Sequence, residues 1–265
     1  VMGGGLAGCF AAIKAREYKL DVFMIYKAYA GKSGASVAAG VAYMVFNPEW
    51  GHNLDVCMDQ ISKKGEYLNN REWSEIVLKE SYARYQDLVG WGVKFPIEDG
   101  KHAKDYYSQP FGKIPIRRRG LTPVLRKQAE KSGVKIMDRI MVTDLLKQDG
   151  RIVGAIGFPI ESYHLYIFKA KATVICMGSN SFKPTGYPVH SLTGDGDAMA
   201  YRAGNEITGK EFPDTHFTMA DYPGWRFHGG SMAGYRRFID ALWNLWSMLA
   251  RHRYFGILTP LLLKI

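Results

Sequence analysis

Val1-Met2-Gly3-Gly4-Gly5-Leu6-Ala7-Gly8 opens the chain, and Gly3, Gly5 and Gly8 keep the G-x-G-x-x-G spacing of a dinucleotide-binding turn. The motif has meaning only between a strand and a helix. The helix side is present: Leu6 to Glu17 is rich in Ala and places Lys14 and Arg16 late, where the negative end of a helix favours cations. The strand side is only Val1-Met2, so the first strand is expected to be clipped at the chain start. Val22-Phe23-Met24-Ile25 then supplies the second strand of a βαβ unit. Bare glycines at such a turn let backbone N–H groups approach a pyrophosphate. Alone, the motif leaves NAD and FAD, or no ligand at all, equally open.

Working outward, Lys32 to Gly40 is small and glycine-rich. Glu49 to Leu88 reads as largely helical, with Leu68, Trp73, Ile76, Val77, Tyr82 and Leu88 keeping an approximate i, i+3, i+4 spacing. Lys101 to Arg119 reads as irregular, polar and aromatic. Thr122-Pro123 opens a further helix that Gly133 closes. Strand-like runs follow at 134–137, 140–146, 152–158 and 163–168. Ala172-Thr173-Val174-Ile175-Cys176-Met177-Gly178 shows no alternation, as a strand buried on both faces would. Thr193 to Ala203 is a glycine turn entering a helix that stops at Gly204. Strands alternating with helices in this way predict an α/β fold with a mostly parallel sheet.

Composition narrows the function classes. At 265 residues and 47% hydrophobic content the chain can bury a substantial core in one or two domains. A net charge of +10 suits anionic ligands, yet Arg117-Arg118-Arg119 is the one tight basic run and no nucleic-acid motif accompanies it, so nucleic acid is not an expected partner. Cys9, Cys57 and Cys176 are scattered, which encodes neither a disulfide framework nor a metal or iron–sulfur site and fits a reducing cytoplasm. Cys9 and Cys176 read as small buried hydrophobes. No run is long enough to span a bilayer.

Three glycine-centred segments, Gly3 to Gly8, Ser33 to Gly40 and Thr193 to Gly196, fall after apparent strands and can converge on one long cofactor. Together with Lys32-Ser33-Gly34-Ala35-Ser36, Asp149-Gly150-Arg151-Ile152-Val153-Gly154-Ala155, Lys171-Ala172-Thr173-Val174-Ile175, Thr193-Gly194-Asp195-Gly196-Asp197-Ala198-Met199-Ala200, Arg202-Ala203-Gly204 and Glu211-Phe212, they carry a resemblance. Over roughly residues 1–218 the chain resembles the flavoprotein subunits of the succinate dehydrogenase and fumarate reductase family, which includes L-aspartate oxidase and adenylylsulfate reductase α.

The resemblance implies a Rossmann-like FAD-binding domain over 1–218 and, over 219–265, the start of a truncated capping domain or a C-terminal segment. It implies an FAD-dependent oxidoreductase that exchanges hydride between flavin N5 and a small anionic, fumarate- or succinate-like substrate. Electrons would pass to or from an iron–sulfur partner subunit, and the chain would be cytoplasmic, with partner subunits as a route to the membrane. A non-catalytic flavin relay or scaffold in a larger complex is the alternative. Gly3, Gly5, Ala7 and Gly8 would face the pyrophosphate; Lys32, Ser33, Gly34, Ala35, Ser36 and Gly40 would line the FAD; Val142 would offer backbone to the adenine; and Asp195 would contact the cofactor, unless it serves as a helix cap. His216 matches a substrate-binding histidine, with altered neighbours. Two departures stand out. The second strand leads into Tyr26-Lys27, where a ribose-binding carboxylate is commonly placed, and Ser33-Gly34-Ala35-Ser36 lacks the histidine of covalent attachment, so the FAD should be non-covalent. Family members are much longer, and the chain is therefore expected to be a fragment or a reduced relative.

Overall fold

The computed structural model describes residues 1–38, 42–95, 97–98, 101–102, 112–115, 120–178, 180 and 192–209, together with four two-residue strands at 217–218, 226–227, 238–239 and 245–246. Gly40 and His216 lie outside the described residues. The chain divides into two compact units, Val1–Ser181 with Ser191–Glu211, and Phe182–His190 with Phe212–Ile265.

Helix α1 (Leu6–Glu17) starts directly at the glycine turn and buries Gly8, Cys9, Ala12 and Ile13 along one stripe. That stripe packs on α5 (Thr122–Lys131) and β1 (Phe23–Ile25). β1 pairs in parallel with β6 (Lys135–Met137) in the register Phe23↔Lys135 to Ile25↔Met137. On its other side Met2 bridges both Ile25 and Ile175 in parallel. The centre of the fold is therefore a parallel sheet whose inner residues, Met2, Met24 and Ile25, are at most 3% exposed. Parallel strands covered on both faces read as unbroken apolar runs, as Val22 to Ile25 does.

A second layer is antiparallel. β7 (Ile140–Gln148), β8 (Arg151–Pro159) and β9 (Tyr166–Lys169) form a meander. Asp149 and Gly150, both at positive φ, make the two-residue turn whose twist matches the strands it joins. Its inner face joins Ile140, Val142, Ala155 and Phe168 to Met2, Ile25 and Met199, the last from α6 (Asp195–Ala203). A shared core of this kind fixes the meander and α6 against the ends of the parallel strands.

The remaining elements are α2 (Ala35–Ala38), β2 (Ala42–Val45), a 3-10 turn Pro48–Trp50, α3 (Leu54–Lys64), α4 (Arg71–Gly90), β3 (Ile97–Glu98), β4 (Lys101–His102) and β5 (Gly112–Pro115). Asn53 and Asn70 cap α3 and α4 by accepting from the N–H groups of Val56 and Trp73. In the second unit, β10 (Phe217–Thr218) pairs with β11 (Arg226–Phe227), and β12 (Phe238–Ile239) with β13 (Leu245–Trp246). No helix among the described residues is long and apolar enough to cross a membrane.

Four expectations are corrected. The stretch 49–88 is largely helical as expected, but the apolar spacing does not run through it: Glu66 and Tyr67 adopt left-handed backbone between α3 and α4, and Leu68 falls between the two helices. The buried side of α4 is Leu78, Ser81, Tyr85 and Leu88, so Trp73, Ile76 and Val77 face solvent at 63%, 53% and 57% exposure. The segment 101–119 is not wholly irregular, because β5 pairs antiparallel with β2; four residues are too few for alternation to show. Ile175 is paired on one side only among the described residues, by Met2, which leaves Val174 and Ile175 46% and 36% exposed rather than buried on both faces. For the same reason Cys176 is only half-buried, whereas Cys9 is fully buried and its thiol is pushed up to about 11 by desolvation, against a smaller lowering from Arg126.

Candidate functional site

The first turn of α1 is built without a side-chain cap of its own. Gly5 is the N-cap and makes no side-chain cap bond, and the first turn carries no acid, so the positive helix end is left uncompensated. Ala7 is exposed there. Gly3 sits at φ +112°, a region closed to L side chains, and a Cβ on it would overlap the carbonyl oxygen of Cys176. A Cβ on Gly8 would overlap the Gly3 carbonyl oxygen, which shows how closely α1 approaches the strand it follows. A Cβ on Gly5, by contrast, would meet only Ser36 Oγ, at 3.2 Å. The space in front of α1 is thus a cradle that a side chain at position 5 would fill.

The Lys32–Ser36 loop closes one side of this cradle. Ser36 Oγ accepts from the Leu6 N–H at 3.2 Å, leaving its own proton available to an incoming oxygen. Ser33 is used differently: its hydroxyl donates to Tyr29 O and accepts from Tyr29 N–H, tying the loop to itself. Lys32 is exposed, while Gly34 and Ala35 are half-buried. Tyr26, at the end of β1, donates its hydroxyl to Ser33 O at 3.0 Å, and a Cβ on Gly34 would lie 2.6 Å from the tyrosine oxygen. The residue standing where a ribose acid is usual is therefore a buttress for the 32–36 loop. Tyr26→Phe is expected to cost about 1 kcal/mol of loop stability. Its signature is faster flavin release in stopped-flow fluorescence with a nearly unchanged apoprotein melting temperature.

A crevice runs from the glycine turn along the sheet end, lined by Gly3, Ile25, Tyr26, Lys27, Ile140, Val142, Met177 and Thr193 to Asp195. Val142 is 3% exposed, its side chain turned into the core. Asp195 is the first residue of α6 and not its cap, since Gly194 at φ +74° takes that place. Lys27 Nζ reaches Asp195 Oδ2 at 3.2 Å and Thr193 Oγ1 at 3.1 Å, and Thr193 Oγ1 donates to Asp195 Oδ2 at 2.5 Å. Burial works against the charged form of Asp195, but the Thr193 and Lys27 bonds and the Lys27 charge outweigh it and hold the carboxyl below its usual range.

Gly3, Gly5, Ala7, Gly8 and the 32–36 loop thus gather around one helix end, and Val142 and Asp195 line the adjoining crevice. Lys27 carries no motif that marks it in the sequence, although its place directly after β1 is a usable signal. No group of His, Cys, Asp or Glu among the described residues is arranged to hold a metal ion. The cradle and its uncompensated helix end fit the pyrophosphate of a dinucleotide such as FAD.

Comparison with known proteins agrees. The family model described as FAD binding domain matches residues 1–231. Over 240 residues the chain is 29% identical to one of the subunits of the fumarate reductase (CoM/CoB) of Methanothermobacter marburgensis, covering 84% of this chain and 42% of that one. An uncharacterised FAD-dependent oxidoreductase of Methanocaldococcus jannaschii is 31% identical over 235 residues, covering 82% and 41%. Among solved structures, the Sdh1 complex of Mycobacterium smegmatis in its apo form superposes with a TM-score of 0.67 at 26% identity, covering 77% of this chain and 38% of that one. The chain spans about two fifths of the length of the curated relatives it matches.

Proposed function

The chain belongs to the FAD binding domain family, and from that premise we propose that it is the FAD-binding part of an oxidoreductase flavoprotein of the fumarate reductase and succinate dehydrogenase type. The observation that carries this reading is the cradle at α1: a helix end whose N-cap glycine offers no side chain, no acid in its first turn, and no Cβ at position 5. In this proposal 1–218 is the FAD-binding domain and 219–265 begins a capping domain.

The residues divide the work by position. The N–H groups at the start of α1 and the Ser36 hydroxyl hold the pyrophosphate, while the crevice at Val142 takes the adenosine end. Lys32, Ser33, Gly34, Ala35 and Gly40 line the rest of the cofactor. With no histidine between Ser33 and Ser36, the cofactor is held without a covalent bond. Bound FAD supplies hydride exchange at its N5 with a small anionic, fumarate- or succinate-like substrate. His216 binds that substrate, since an imidazole can donate to a carboxylate and carry charge near neutral pH. In keeping with the flavoprotein subunits the chain is similar to, an iron–sulfur partner subunit carries the electrons onward.

Purified protein should show a bound-flavin spectrum that fumarate or succinate perturbs or bleaches. His216→Ala should abolish that response with flavin content intact. A flavin indifferent to fumarate, succinate, aspartate and adenylylsulfate would sink the catalytic reading and leave an electron relay. Absence of flavin would sink both.

A further inference from the structure

A second cleft, of about 550 Å³, opens between the turn that follows β2 and one side of α4, a volume within the range of small-molecule sites. Phe46, His52 and Tyr82 give it flat walls, Leu54 marks the start of α3, and Lys79 comes from α4. Its two sides are tied together. Phe46 N–H donates to Ser81 Oγ at 2.8 Å, and Ser81 Oγ donates to Leu78 O at 2.6 Å, both residues of α4. The His52 ring lies 6.1 Å from Phe46 and 6.0 Å from Trp50, centre to centre. The cleft is thus held open by the fold and needs no ligand to form it.

Its polar lining consists mainly of donors. Asn47, 3% exposed, accepts from Glu49 N–H through Oδ1 at 3.0 Å, which fixes the carboxamide and leaves Nδ2 without an acceptor. A buried donor in that condition costs about 1–3 kcal/mol, and native folds rarely leave one so. His52 Nδ1 accepts from Asn47 N–H at 3.0 Å, which puts the imidazole proton on Nε2. Leu54 opens α3, whose first N–H groups have no intrahelical acceptor; Asn53 satisfies that of Val56. Lys79 adds an ammonium that Glu75 shares at 2.6 Å. None of these residues lines the crevice beside the glycine turn.

We propose that this cleft binds a small monocarboxylate with a flat apolar body. The carboxylate accepts from Asn47 Nδ2 and Lys79 Nζ, and the body lies against Phe46 and Tyr82. Glu75 sets the charge: with Lys79 shared, the cleft matches one negative charge and disfavours a phosphate dianion. The site is separate from the flavin and stands whether or not the flavin reading does.

Saturation-transfer NMR on the purified chain, with benzoate as probe, tests this; benzyl alcohol is the neutral counterpart and inorganic phosphate the compact anion. Benzoate should bind saturably at about 1 mM or tighter. Excess fumarate should not displace it, and the alcohol and phosphate should bind about 10-fold or more weakly. Asn47→Asp keeps an acceptor for Glu49 N–H but replaces the NH₂ with a repelling oxygen, so it should weaken benzoate by about 10-fold or more. Ala83→Leu, which fills the cleft from α4, should abolish binding, and the exposed Lys79→Met should weaken it by a factor of about 2–5. Flavin content should be the same in all three. If Asn47→Asp does not fold, Ala83→Leu and Lys79→Met decide. Benzoate that ignores both Asn47→Asp and Ala83→Leu, yields to fumarate, or is matched by benzyl alcohol would overturn the site. Phosphate binding as tight as benzoate's overturns the ligand class, and absence of saturable benzoate binding overturns the proposal whole.

Discussion

Gly3→Ala is expected to lose both flavin and much of the fold, whereas Gly5→Ala, two residues away, is expected to lose only flavin. The difference follows from what surrounds each position. At Gly3 a methyl group needs backbone at φ +112° and must share space with the Cys176 carbonyl oxygen, which belongs to the segment paired with Met2. Neither party can withdraw without breaking the bonds Met2 N–H to Val174 O and Cys176 N–H to Met2 O, at 2.9 and 2.7 Å. Strain and overpacking together should cost about 3 kcal/mol or more, a large share of a domain's stability. Calorimetry on the apoprotein should register a fall in melting temperature on the order of 10 °C. Gly5 has ordinary backbone at φ −82°, and its added methyl meets only the hydroxyl of Ser36. The fold keeps it, but the methyl stands in the space before the uncapped helix end. Apoprotein of Gly5→Ala should therefore melt within about 2 °C of wild type and copurify without flavin. If Gly5→Ala retains stoichiometric flavin, the pyrophosphate does not sit at α1 and the site assignment falls.

That contrast marks what the sequence could and could not say. Glycine spacing, the Ala-rich run behind it and the apolar strand at 22–25 are local signals, and they placed α1 and β1 where they stand. The convergence of the glycine turn with 32–36 and with Asp195 was legible only because each follows a strand-like run. What failed to show was pairing between distant segments. β5 is recognised by β2 and not by its own pattern, and the solvent side of α4 carries Trp73, Ile76 and Val77, apolar residues that pattern alone assigns to a core. Antiparallel pairing of β7 with β8 follows from the two-residue Asp149-Gly150 turn, which is too short for a parallel crossover and which a count of strands alone passes over. Tyr26 and Lys27 read in the sequence as the loss of an acid. Their contacts make them the support of a loop and of a carboxylate, and nothing in either residue's neighbours encodes that.

Arg126→Met is expected to lower both stability and flavin affinity from a position that touches neither glycine turn nor crevice. Arg126 leaves α5 and donates through Nη1 to Ala30 O at 3.0 Å and to Asp138 Oδ2 at 2.6 Å, with Nε on Glu130 at 2.9 Å. Asp138 Oδ1 in turn accepts from Ala30 N–H at 2.8 Å, and Thr122 Oγ1 donates to Gly31 O at 2.9 Å. Both polar groups of Ala30, where the chain enters the 32–36 loop, thus end on one charged pair that is about three-quarters or more buried, with side-chain exposures of 24% and 18%. An exposed pair of this kind contributes little, and a fully buried one broken on one side costs several kcal/mol. The intermediate burial here places the cost at about 2 kcal/mol, since methionine leaves a desolvated carboxylate and an unpaired carbonyl behind. Apoprotein melting should drop by roughly 4–8 °C. Flavin should bind more weakly by a factor that grows with temperature as the loop loosens. Adding Asp138→Asn keeps an acceptor for Ala30 N–H while removing the stranded charge, so the double variant should recover part of the melting temperature and little of the flavin affinity, because the Ala30 carbonyl is still unpaired. A single variant that melts with wild type would reduce the network to a surface ion pair and leave the loop to be held by Tyr26, Thr122 and its own serines.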